Sequence, residues 1–170
     1  DEMPEGLKSH IRYPNYLFEI QASVYAKYHM EDVNVFYQRE DMWDIASEIY
    51  GMEKKQMTPN YYIAKLPGEQ KAEFFNSIPF TPKSLMVARN DGENYGQLVL
   101  YQFPKSRTIY GPEQIEAQID QNTEISKEFS LWSSAGTKYR RGNMFIIPIN
   151  TSILYVEPVY LEATNSSIPE

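Results

Sequence analysis

The sequence predicts an α+β domain in which N-terminal helices are followed by a mostly antiparallel sheet or partly open barrel, with two short helices inserted. Three observations carry this reading. Helical periodicity dominates the first third, then gives way near residue 56 to short runs rich in Tyr, Ile, Val and Phe, each bounded by Pro, Gly or Asp-Gly. Between residues 111 and 136, helix-start and helix-stop residues return. The chain therefore divides into a helical part, 1–55, and a β-rich part, 56–170, packed as a single domain. Its 170 residues suffice to bury about two thirds of the unfolded surface.

Each element follows from local chemistry. In "YPNYLFEIQASVYAKYHM" Pro14 suits a first helical turn, and Leu17, Ile20, Val24 and Tyr28 recur at helical spacing, predicting a helix over 14–28. Asp32 caps a short turn, and Met42, Ile45 and Ile49 predict a second helix over 40–50 that Gly51 terminates. "NYYIAKL" reads as a strand ending at the Pro67-Gly68 turn, followed by "AEFFNSIPF" and "SLMVARN". "GQLVLYQFP" holds four consecutive apolar residues, Leu98 to Tyr101, and reads as a central strand covered on both faces. Gly111-Pro112-Glu113 opens a helix with Ile115 and Ile119 inward; Thr123 caps another, carrying Ile125, Phe129 and Trp132 and closed by Gly136. The last element is a hairpin, "NMFIIPI" and "SILYVEPVYLEA", joined at Asn150-Thr151, with Pro148 and Pro158 placing an edge or bulge on one side.

Composition removes several function classes. Aromatic residues make up 14% of the chain, too many for disorder. The formal net charge of −7 argues against nucleic acid or an anionic membrane surface, which need clustered cations. The basic doublets Lys54-Lys55 and Arg140-Arg141 read as solvated turn residues. Absence of Cys excludes disulfides, zinc thiolates and thiol nucleophiles. No apolar run reaches the 18 or so residues of a membrane span. The opening "DEMPEG" and the ending "EATNSSIPE" read as cuts in a longer chain.

No motif supplies a complete catalytic constellation, a metal site or a cofactor site. Asp91, Glu93 and Asn94, with Tyr95 beside them, offer oxygen ligands of the kind calcium accepts, but Gly92 directly after Asp91 breaks the EF-hand spacing. Asp91-Gly92 is instead a strong hairpin signal. His10 and His29 are the only imidazoles; His29 caps the negative end of its helix. No serine sits in a Gly-x-Ser-x-Gly elbow. Asp41/Asp44 and Glu113/Glu116 have the spacing of a carboxylate pair for glycosidic chemistry, and exposed helix faces explain them too. Glu157 in "YVEPVY" is a lone charge among strand residues, and alternation points it at solvent. Asp91, Glu93, Asn94, Tyr95 and Glu157 are thus the candidate ligand-binding residues. Tyr61, Tyr62, Tyr95, Tyr101, Tyr110, Tyr155 and Tyr160 offer a stacking platform for sugar or peptide, or ordinary core and rim. The sequons at Asn150 and Asn165 matter only in a eukaryotic secretory protein.

Several strings together, "YYIAKLPGE", "IPFTP", "ARNDGENYG", "YGPEQIEAQIDQNTEIS", "LWSSAGTKYRRGNMFIIPI" and "SILYVEPVYLEA", resemble uncharacterised protein family 0182, large bacterial membrane proteins. The likeness runs in order along nearly the whole chain. It implies several N-terminal transmembrane helices outside this segment, and a soluble, extracytoplasmic place for the segment itself. It implies no catalytic residues. Between "IPFTP" and "ARNDGENYG" the family carries a longer segment than Lys83–Val87 here. The expected function is a non-enzymatic module for assembly, or for recognition of an envelope protein or glycan. The alternative is an envelope glycan hydrolase with a carboxylate pair.

Overall fold

A computed structural model describes residues 3–9, 11–81, 84–104, 106, 108–134, 136–149 and 152–163. His10, the link at Lys83, the Asn150-Thr151 connection and the Asn165 sequon lie outside the described residues. The order of elements is α1 (Glu5–Lys8), α2 (Asn15–Tyr28), α3 (Val33–Gln38), β1 (Asp44–Ile45), β2 (Ser47–Tyr50), β3 (Glu53–Gln56), β4 (Asn60–Lys65), β5 (Ala72–Thr81), β6 (Ser84–Arg89), β7 (Leu98–Gln102), α4 (Pro112–Gln121), α5 (Thr123–Ser134), β8 (Thr137–Arg141), β9 (Phe145–Ile149), β10 (Ser152–Val156) and β11 (Val159–Ala163). The α+β class and the antiparallel pairing hold; among the described residues the strands form an open sheet and three ribbons rather than a closed barrel.

β5 is the spine. One of its edges carries β6, and the other carries β4 along Ala72–Ser77 and β1 at Phe80–Thr81. Alternation along β6 feeds two cores: Met86 and Ala88 face a cluster with Phe18, Ile78, Phe80, Trp43, Met144 and Ile146, while Leu85 and Val87 face Phe75 and Leu66. Each fully buried Leu or Phe contributes roughly 1.5–3 kcal/mol of transfer free energy. Among the described residues β7 pairs only with β6, so the strand expected at the centre is an edge there, with Leu98 and Gln102 exposed. Its apolar run still serves both faces, Leu100 packing on the Phe18 cluster and Tyr101 on the Phe75 cluster.

α2 matches the predicted helix to within one residue, with Pro14 just outside its first turn. The stripe that predicts it faces outward. Phe18, Ala22 and Ala26 are buried, whereas Leu17, Ile20, Val24 and Tyr28 are exposed. The two alanines let the helix backbone approach β1 and β5 closely, and Trp43 N–H donates to the Ala26 carbonyl at 3.1 Å. The helix expected over 40–50 is absent. Asp32 caps α3 through a 2.7 Å bond from Asn34 N–H, and Arg39 ends it in the left-handed region. The following residues are recruited as strands: Ala46 N–H donates to Pro79 and Met57 N–H to Ala46. Tertiary pairing outweighs a helical spacing worth tenths of a kcal/mol per residue. Gly51, with φ of 68°, turns β2 into β3 instead of ending a helix.

The C-terminal half has the predicted helices. α4 starts at Pro112; Asn122, rather than Thr123, caps α5 by accepting from Glu124 and Ile125 N–H at 3.0 Å. The final run expected as one strand breaks at Glu157-Pro158. β10 pairs with β9, and β11 crosses to pair with β8. Pro148 is accommodated because its ribbon is two strands wide among the described residues.

Candidate functional site

Along β8, Tyr139 and Arg141 face α5. Tyr139 stacks on Phe129 with ring centroids 4.5 Å apart, and the Arg141 guanidinium lies 5.9 Å from the same ring. Arg141 is 4% exposed and gathers three carboxylates. Its Nε and Nη2 donate to the two oxygens of Glu157 at 2.7 and 2.8 Å, Nη1 donates to Asp120 at 2.7 Å, and Nη2 also reaches Glu116. The other oxygen of Glu116 accepts Ile49 N–H at 3.0 Å. One side chain thus joins β8, α4, β2 and the β10–β11 link. Three acids exceed one cation, and burial pushes the Glu157 carboxyl upward against the pull of Arg141, with Asp120 adding repulsion.

This cluster corrects three expectations. Glu157 does not point at solvent, because the break at Pro158 turns its carboxylate inward onto Arg141. Arg141 is no solvated turn residue, although Arg140 beside it is exposed. Glu116 is not on an exposed face, since α4 lays it against β2 alongside Ile115. The signal available in sequence was the placement of Glu116 between Ile115 and Ile119, on the stripe itself.

Glu48, missed by the sequence reading, is the second buried acid. One of its oxygens accepts Met144 N–H at 2.7 Å; the other has no hydrogen-bond partner, and Lys55 Nζ stands 3.9 Å away. Burial raises its carboxyl above the usual range, more than the Met144 bond and Lys55 lower it. It lines a cleft of about 190 Å³ with Lys54, Glu113, Glu116 and Asp120, and the 3.0 Å Lys54–Glu113 pair sits on the same wall. The arrangement holds a protonatable carboxyl against a small acidic recess.

A larger cleft, about 750 Å³, opens between the tip of the β2–β3 hairpin and β8. Tyr50, Met52 and Glu53 form one wall; Lys138, Tyr139 and Arg140 form the other. Its volume is within the 300–1,000 Å³ or so typical of ligand pockets.

The acidic loop is a built turn. Asp91 Oδ2 accepts Phe74 N–H at 3.0 Å, tying the loop to β5, and Asn94 N–H returns to the Asp91 carbonyl at 3.1 Å. Glu93 and Asn94 are exposed, and Tyr95 lays its ring edge-on to Tyr13 at 5.9 Å. Gly96, with φ of 81°, leaves only 3.3 Å between a Cβ built there and the Tyr13 ring. The structure therefore brings Asp91, Glu93, Asn94 and Tyr95 into one turn, but places Glu157 in the Arg141 cluster, and no described hydrogen bond joins the two. His29 caps α2 as expected, its Nδ1 lying 3.2 Å from the Tyr25 and Ala26 carbonyls and its ring packed on Trp43 at 4.0 Å. Of the tyrosines, Tyr62 is in the core with its hydroxyl on the Ile146 carbonyl at 2.5 Å, and burial pushes it up to about 12; the Ser77 hydroxyl partly offsets this.

One further feature is an apolar stripe facing outward on α2. Ile20, Val24 and Tyr28 are 43%, 51% and 62% exposed, and Leu17 and Tyr16 extend the stripe toward the start of α2. Tyr28 meets Phe36 of α3 at 5.9 Å, where Val33 and Tyr37 are also exposed. Among the described residues no helix is long and apolar enough to cross a membrane.

A model of an uncharacterised protein family, UPF0182, matches residues 1–132. A UPF0182 protein of Alkaliphilus metalliredigens is 52% identical over 177 residues, covering 100% of this chain and 19% of its own length. Similar proteins occur in Pelotomaculum thermopropionicum, 51% identical with 100% of this chain and 19% of that protein covered, and in Trichodesmium erythraeum, 52% identical with 99% and 17% covered. The chain thus spans about a fifth of the length of these relatives. No solved structure matches it.

Proposed function

The chain belongs to the uncharacterised protein family UPF0182, and from that premise we propose that this region is a non-catalytic assembly module of a larger bacterial membrane protein, standing outside the membrane at the cell envelope. The observation that carries the proposal is the outward apolar stripe of α2, Leu17, Ile20, Val24 and Tyr28. Large contiguous apolar patches on a soluble surface mark contacts. Its occupant is the remainder of the same polypeptide, which in the relatives is about four times as long as this segment. The buried acids favour structure over catalysis, since Glu116 and Glu157 are both engaged by Arg141.

Two measurements on the full-length protein test this. A photo-crosslinking side chain at Ile20 or Val24 should give intramolecular crosslinks to residues outside this segment; crosslinks to lipid alone, or none, would remove the assembly reading. A single cysteine placed at exposed Glu93, in a segment that otherwise lacks cysteine, should react in intact cells with a membrane-impermeant thiol reagent. Protection until lysis would put the segment inside.

A second reading, glycan hydrolysis, has one observation in its favour: Glu48 holds a raised carboxyl beside Asp120 and Glu113. The cleft is smaller than most ligand pockets. Release of reducing sugar from envelope glycan, lost in Glu48→Gln, would establish hydrolysis; no release would exclude it.

A further inference from the structure

β8 is laddered on one side only. Its pairing with β11 runs from Thr137 to Arg141, but on the opposite edge, among the described residues, only Arg141 has a partner, exchanging bonds with Gly51 at 2.7 and 3.3 Å. In an antiparallel strand the main-chain groups of alternate residues point to the same side. Since those of Arg141 point away from β11, those of Tyr139 and Thr137 do too. They face the 750 Å³ cleft, and no main-chain partner for them lies among the described residues. The Gly51–Arg141 bridge is therefore the first rung of a ladder whose next two rungs are open.

We infer that this cleft is a strand-acceptor site, in which an extended segment from the remainder of the family polypeptide pairs antiparallel with the edge of β8 at Tyr139 and Thr137. An exposed edge is an aggregation hazard that proteins normally cover, and addition of a strand is the standard way to cover it. The side chains define the guest. Lys138 and Arg140 project from β8 on one face, where Glu162 is paired across from Lys138 and stands 3.9 Å from Arg140, so a guest residue between them is acidic. On the other face the half-buried Tyr139 offers an apolar neighbour. The guest alternates acidic and apolar residues. The source is the same polypeptide because the relatives carry about four fifths of their length outside this segment. The inference does not depend on the α2 stripe.

The probe is a set of overlapping synthetic peptides tiling the rest of the Alkaliphilus metalliredigens relative, titrated against this chain. At least one peptide with the alternating pattern should bind and slow hydrogen exchange at the Thr137 and Tyr139 amides. The charge-reversed variant Lys138→Glu/Arg140→Glu, altering two exposed side chains, should weaken it about tenfold. Tyr139→Pro, which removes an edge donor, should abolish binding; the charge reversal keeps the test informative if that variant does not fold. Ile20→Glu/Val24→Glu should leave binding unchanged, separating this site from the assembly surface. No binding peptide, protection confined to other elements, or affinity indifferent to the charge reversal would each overturn the inference.

Discussion

Arg89 and Arg141 are both arginines surrounded by carboxylates, in regions built on opposite plans. Arg89 lies in the five-stranded sheet, and its partners Glu73, at 2.7 Å, and Gln97 are cross-strand or next-turn neighbours in a ladder already complete. Arg141 lies in a two-stranded ribbon, and its partners come from a helix and an interstrand link. In the first region main-chain pairing fixes the strands and the arginine decorates their rim. In the second, three ribbons share only one described backbone bridge, Gly51 with Arg141, and side chains supply the other ties: Arg141 to α4, Glu48 of β2 to Met144 N–H, and Asn60 of the sheet to the Met144 carbonyl at 2.7 Å. A buried charge network here does what hydrogen-bond ladders do elsewhere. That requirement accounts for the burial of Glu48 and Glu116.

The contrast is sharpest under substitution. Arg141→Met should lower the unfolding free energy in urea by about 3–5 kcal/mol, because it strands buried carboxylates. Arg89→Met should lower it by less, about 3 kcal/mol, since it strands one buried carboxylate, Glu73, instead of two, while Glu69 is half-exposed and the ladder survives. Equal losses would erase the distinction. Gly142→Ala tests the same ribbon sterically: a Cβ there would lie 2.7 Å from Pro158 Cγ and 2.9 Å from the Tyr160 ring, so β8 and β11 should be forced apart at a cost of about 1–3 kcal/mol. An unchanged melting temperature would mean that the ribbon has slack.

Glu48 gives a pH signature confined to the tied region. Its folded carboxyl titrates above its ordinary value, so its contribution is fully present below about pH 4.5 and is lost as pH rises through the folded value. The wild type should therefore gain stability relative to Glu48→Gln as pH falls from 7 toward 5; parallel melting curves would show that burial of Glu48 costs nothing. On the ladder side, Asp91→Ala should cost about 1 kcal/mol through the bond from Phe74 N–H, and melting should not respond to calcium. A calcium-dependent rise would restore a ligand role for Asp91, Glu93 and Asn94.

Elements set by short-range chemistry were legible in the sequence: α2 after Pro14, the Pro67-Gly68 turn, α4 at Pro112 and the Asp91-Gly92 bend. What failed was set at long range. Asp44 and Ile45 became a strand because β5 offered a free edge, Ser47–Tyr50 paired with β3 while Glu116 took Ile49 N–H, and α2 turned Leu17, Ile20 and Val24 outward because its alanines pack on the sheet. Glu157, Glu116 and Arg141 looked like surface charges because each is explained only by partners at least 16 positions away. Of the three, Glu157 stands in the sequence as an odd charge among strand residues, and its meaning lies in the proline behind it.

Native-state hydrogen exchange on the wild type and Arg141→Met, followed amide by amide, tests the two-plan account most directly. Loss of the tie should accelerate exchange in β8 and β11 while β5 and β6 keep their protection. Equal acceleration in both regions would show that the molecule opens as one unit, and that the Arg141 network does not hold a separate region together.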